Sequence, residues 1–72
     1  MFAKVLMHAG HTRGFSVSDL GQEGWEVRIE QDSDVIRRRC YTDWHRVERA
    51  LRVIAVEVER LRETGWRESG SR

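Results

Sequence analysis

The 72-residue chain carries 13 basic and 12 acidic residues, a net charge of +1, one cysteine and no proline. Near-neutrality excludes the strongly basic composition of a general polyanion binder, and a lone cysteine excludes an internal disulfide. A chain this short makes one domain with a small core, for which a partner chain is a common supplement.

Residues 1–13 read as an N-terminal arm or a short strand over residues 3–7. Phe15, Ser16, Val17 and Ser18 alternate apolar and polar, the pattern of a half-buried strand. Leu20 to Gly24 form a turn in which two glycines are free to take positive φ. Trp25 to Glu30 is the clearest strand: Trp25, Val27 and Ile29 share one face, and Glu26, Arg28 and Glu30 the other. A tight turn at Asp32 and Ser33 leads into a third strand ending at Tyr41. That turn predicts Ile29 opposite Ile36, Val27 opposite Arg38 and Trp25 opposite Cys40 on the core face. The outer face then pairs Glu30 with Val35, Arg28 with Arg37 and Glu26 with Arg39. Arg38 is the misfit on the core face; an edge strand lets its stem cover Val27 while its guanidinium reaches water.

Thr42 is placed to cap a long helix, with Asp43 in its first turn. Trp44, Val47, Leu51, Ile54, Val58 and Leu61 recur at helical spacing and, with Ala55, span an arc of about 120°. Gly65 falls at the position of a left-handed helix stop, which predicts Trp66 folded back onto Leu61 in a Schellman motif. Residues 67–72 read as a frayed tail.

The predicted fold is α+β: a three- or four-stranded antiparallel meander followed by one long C-terminal helix packed across the sheet. Residues 14–66 form the domain. The expected core is Phe15, Val17, Trp25, Val27, Ile29, Ile36, Cys40, Trp44, Val47, Leu51, Ile54, Val58, Leu61 and Trp66. Val53 and Val56 fall off the apolar arc among Arg46, Arg49, Arg52 and Arg60. With Ala50 they predict a self-association surface, and hence a homodimer.

Charge is segregated along the chain. Six acids and one base lie between Asp19 and Asp34, and six arginines against two acids between Val35 and Val53. The blocks either neutralise each other across a hairpin or leave a basic face open. Arg37, Arg38, Arg39, Arg46, Arg49 and Arg52, with Tyr41 among them, are the candidate anion or nucleic-acid contacts, because single-strand binders combine basic grooves with aromatic platforms. A short antiparallel sheet followed by one long helix, over roughly residues 15–64, is similar in outline to the single-strand-binding coactivator, Whirly and Pur families. That resemblance implies single-stranded nucleic acid as ligand and a tendency to dimerise; it is one of architecture and transfers no functional residue.

No catalytic constellation stands out. Cys40 and His45 are the one plausible nucleophile and base, and nothing marks an oxyanion hole beside them. His8, His11, Cys40 and His45 match no standard zinc spacing, and no glycine-rich phosphate loop occurs. No metal, cofactor or small-molecule substrate is expected. No segment is long and apolar enough to span a bilayer, and the segment from Met1 to Met7 falls short of a secretory signal. The expectation is a cytoplasmic, non-enzymatic, self-associating interaction module, with a small nucleic-acid-binding protein as the alternative.

Overall fold

The computed structural model describes residues 2–69. Five strands, β1 (Phe2–His8), β2 (His11–Asp19), β3 (Trp25–Gln31), β4 (Asp34–Tyr41) and β5 (Arg67–Ser69), form one antiparallel sheet in the order β4-β3-β2-β1-β5. One helix, α1 (Trp44–Glu63), stands between β4 and β5 in the chain. The class is α+β, and the strand count is corrected from three or four to five. β1 pairs with β2 along its whole length, from Phe2 opposite Val17 to His8 opposite His11, so most of the expected arm is an inner strand. β5 pairs with β1, Met7 opposite Arg67 and Val5 opposite Ser69, so residues 67–69 are not frayed. Residues 70–72 of the expected tail lie outside the described residues.

Two of the connections are two-residue turns with positive φ at both central positions. Ala9 and Gly10 have φ of 52° and 82°, Asp32 and Ser33 of 51° and 74°. Such turns twist in the sense of the strands they join. The Asp32 carboxylate accepts from the Thr12 backbone N–H at 2.9 Å and contacts His11 Nδ1 at 3.1 Å, so the second turn is tied to the start of β2. Between β2 and β3, a turn of 3-10 helix at Gly21–Glu23 ends on Gly24, whose φ is 101°. A Cβ at Gly24 would lie 2.1 Å from the Tyr41 carbonyl oxygen, so this position admits only hydrogen.

The sheet buries Leu6, Phe15, Val17, Val27 and Ile29 against Val47, Ile54 and Val58 of α1. Each such side chain contributes about 1.5–3 kcal/mol relative to exposure. Phe2, Trp25, Tyr41, Ala50, Leu51, Leu61 and Trp66 pack half-buried around them. Three expected core residues, Ile36, Cys40 and Trp44, are exposed.

Ile36 and Cys40 are displaced by a β-bulge. Glu30 stands opposite Val35, as the turn predicts, but Ile29 stands opposite Arg37 because Ile36 is an extra residue in β4. A one-residue slip moves every later side chain to the other face. Arg28 is therefore opposite Arg38, Val27 opposite Arg39, Glu26 opposite Cys40 and Trp25 opposite Tyr41. Arg37, Arg39 and Tyr41 turn toward the helix; Arg38 and Cys40 turn away from it.

Asp43, not Thr42, caps α1: its carboxylate accepts from the His45 backbone N–H at 3.0 Å. The far end follows the expected Schellman pattern. Trp66 N–H donates to the Leu61 carbonyl at 3.0 Å and Gly65 N–H to the Arg62 carbonyl at 3.1 Å, with Gly65 at φ 106°. Trp66 also packs against the His8 ring at 5.6 Å between centroids. Since α1 starts beside β4 and ends beside β5, it crosses the sheet from one edge to the other. The middle of β4 is left without cover. Among the described residues no helix is long and apolar enough to cross a membrane.

Candidate anion-binding groove

The uncovered strip between α1 and β4 is an open groove with a cavity volume of about 490 Å³. Its floor is apolar: Val27 and Ile29 from β3 and Ile54 from α1. Arg37, Arg39 and Tyr41 rise from β4, and Arg46, Arg49, Ala50, Val53 and Glu57 from the near flank of the helix. Those helix positions are three, four, seven and eleven residues beyond Arg46, the spacing of one helical stripe. Alternation along β4 sets Arg37 and Arg39 about 6.6 Å apart along the strand.

The electrostatics are lopsided. Among the described residues, Arg37, Arg39, Arg46 and Arg49 make no ion pair; the arginine pairs are Arg13 with Glu57, Arg28 with Glu26 and Glu30, Arg38 with Glu26, and Arg62 with Glu68. The single carboxylate on the groove wall, Glu57, is already engaged: Arg13 donates to it at 2.6 Å and to Gln31 at 3.0 Å. Among the described residues, four cations therefore surround an apolar floor with no counter-ion left for them. Guanidinium groups suit carboxylate and phosphate because their paired N–H groups match two oxygens at once.

Aromatic side chains gather near one end. Tyr41 lines the groove, Trp25 stands opposite it in the sheet, and Trp44 meets Trp25 edge-on at 5.0 Å between centroids. Trp44, expected in the core, is the first residue of α1 and is 40% exposed.

The opposite face of the sheet handles its charge differently. Glu26 is 5% exposed although no helix covers it, because Arg28 and Arg38 lie across it. Arg28 Nη2 donates to one carboxylate oxygen at 3.0 Å and Arg38 Nε to the other. The hydrogen bond from Arg38 is the largest of the effects that hold the Glu26 carboxyl below its ordinary range; burial opposes it, and the charges of Arg28 and Arg38 assist it. The same contact raises Arg38. Glu26 and Glu30 balance the charges of Arg28 and Arg38 in this cluster, although Arg28 Nε is buried without a hydrogen-bond partner among the described residues.

The structure thus sorts the seven candidate contacts. Arg37, Arg39, Tyr41, Arg46 and Arg49 converge on the groove. Arg38 is on the other face, neutralised by Glu26, and Arg52 is exposed on α1 away from the groove lining. The candidate self-association residues are also divided. Ala50 is half-buried against the core and Val53, 58% exposed, lines the groove, whereas Val56, 56% exposed, stands apart from it. Val27, Ile29 and Ile54 are core residues as expected, and their second role as groove floor, like the place of Glu57, carries no separate signal in the sequence beyond the helical stripe from Arg46 to Glu57. His8 and His11 face each other at the β1 turn, while Cys40 lies on β4; among the described residues no group of three or more His, Cys, Asp or Glu side chains is placed to hold a metal ion.

No protein-family model, curated protein or solved structure matches this chain.

Proposed function

We propose that this protein is a non-enzymatic interaction module that captures an anionic partner in the groove between α1 and β4. The observation supporting this reading most strongly is the set of four arginines, Arg37, Arg39, Arg46 and Arg49, that face an apolar floor without carboxylate partners. Unpaired guanidinium groups at the mouth of an apolar trough are poorly used in an isolated molecule. They gain charge-assisted hydrogen bonds when a carboxylate or phosphate arrives, and the trough shelters the less polar part of the same ligand.

The test is a titration with two generic polyanions, polyglutamate and oligothymidylate, followed by the fluorescence of Trp25 and Trp44 at the groove end. At least one binds at low salt, binding weakens as salt rises, and the double variant Arg37→Gln, Arg39→Gln abolishes it. Failure of both polyanions at low ionic strength contradicts the reading.

Self-association is a second reading, favoured by the exposure of Val53 and Val56. Two valines among Arg46, Arg49, Arg52 and Arg60 bring cations together when two helices pair, so a homodimer through this face needs anions between the copies. Native mass at rising protein concentration tests it; a monomer throughout removes it.

A further inference from the structure

We infer that the anionic partner is an extended acidic peptide that joins the sheet as a sixth strand beside β4. The inference rests on the groove reading above and adds an observation independent of the arginines. β4 is an edge of the sheet, and every one of its residues from Asp34 to Cys40 is exposed. Among the described residues no strand pairs with its outward backbone N–H and C=O groups, although the Arg38 carbonyl accepts from Arg39 Nη1 at 3.3 Å; such an edge is a ready template for another extended chain. Among the described residues the other edge, β5, has three residues.

The groove and the open edge are one surface. A strand added to β4 lies about 4.8 Å from it, and alternate side chains of that strand point to the helix side of the sheet. There they meet Arg37 and Arg39 directly across the new strand pair and Arg46 and Arg49 from the helix above. Acidic side chains at every second position find cations on both walls. The straight part of β4, from Arg37 to Tyr41 beyond the bulge at Ile36, has room for about five residues over about 17 Å.

Charge decides among the possible occupants. A second copy presenting its own β4 sets arginine against arginine on the helix side, and like charges directly opposed are destabilising. The Arg37 to Arg39 run, together with the bulge, guards the edge against copies of itself. It admits a strand of the opposite sign. Nucleic acid satisfies the arginines but leaves the backbone edge unpaired.

The experiment uses the whole chain and three probes of similar length: a capped peptide of about seven residues alternating Glu and Thr, the same peptide N-methylated at alternate residues, and an oligothymidylate. N-methylation keeps the charge and removes strand hydrogen bonds. Calorimetry and amide exchange are read together. The plain peptide is expected to bind and to slow exchange within residues 37–41, and the methylated form to bind about tenfold more weakly or worse, the loss of one or two net hydrogen bonds. Arg37→Gln with Arg39→Gln abolishes binding, and Arg52→Gln leaves it unchanged. Equal binding of the two peptides overturns strand addition while leaving the anionic groove intact. Tighter binding of the oligothymidylate overturns the choice of peptide. A doubled native mass without ligand, with residues 37–41 already protected, gives the edge to a second copy and overturns the inference. No binding of any probe at low salt removes the groove reading itself.

Discussion

Arg37 stands opposite Ile29 on the helix side of the sheet, which places an exposed guanidinium at the margin of the apolar floor. The arrangement follows from the bulged residue before it. The β4 wall of the groove, including the inward turn of Arg39 and Tyr41, depends on that single extra residue in β4.

Deleting Ile36 is therefore expected to be tolerated. The deletion removes the bulge and leaves Val35 opposite Glu30 and Arg37 opposite Ile29, so the faces of the strand are unchanged. Stability shifts by less than about 1 kcal/mol and the groove keeps its arginines. If the strand were regular through Ile36, the same deletion would turn Arg37 to Tyr41 onto the wrong face. Cross-strand NOEs between residues 29 and 37 in the deletion variant, with urea denaturation, separate the two results.

Gly24 and Gly21 provide a matched pair. Both have positive φ, 101° and 70°, but an added Cβ at Gly21 meets nothing within 4 Å whereas one at Gly24 runs into the Tyr41 carbonyl. Gly24→Ala is expected to cost about 2 kcal/mol or more beyond Gly21→Ala, because backbone strain and a clash add. Denaturation midpoints of the two variants check this, and equal midpoints contradict the close approach.

Leu6 is completely buried on a strand with neighbours on both sides. Leu6→Ala should cost about 2–5 kcal/mol. Val56→Ala, at an exposed position of α1, should change stability by less than about 0.5 kcal/mol. Chemical denaturation of the two variants measures the contrast. A small loss at Leu6 would mean that β1 is not part of the folded core.

Glu26 and Asp32 set an acid limit on stability. Both carboxyls titrate below their ordinary values of 4.5 and 3.8: Glu26 chiefly through the hydrogen bond from Arg38, Asp32 chiefly through that from the Thr12 N–H. The native state then binds fewer protons than the unfolded chain. Their stabilisation is complete above the ordinary carboxylate range and falls away as pH drops through and below it. Unfolding followed from pH 6 downward should show a decline that begins near those values and is reduced in Glu26→Gln; an unchanged acid profile in that variant contradicts the Arg38 contact.

Much of the fold is legible from residue patterns. The α1 stripe, its Gly65 and Trp66 stop, the two faces of β3 and the Asp32–Ser33 turn all follow from periodicity and turn chemistry. β1 is harder to read because Ala3, Val5 and Met7 are as apolar as Phe2 and Leu6, which hides the alternation. β5 is held by backbone pairing with β1 and by Glu68 reaching Arg62 and Lys4, contacts that no local pattern records. The bulge left one trace, the adjacent apolar pair Val35 and Ile36 at the head of a strand that continues in three arginines. Without it, Arg38 takes the place on the helix side that belongs to Arg37 and Arg39. The arginine cluster is visible as a run of like charge; the bulge decides which of its β4 members converge, and the helical phase decides between Arg46 and Arg49 on one side and Arg52 on the other.

The most direct measurement is the side-chain N–H spectrum of the arginines as polyglutamate or inorganic phosphate is added at low salt. Shifts are expected to concentrate at Arg37, Arg39, Arg46 and Arg49, with Arg38 and Arg52 nearly unmoved. Uniform shifts across all arginines, or the largest at Arg52, would contradict the groove reading.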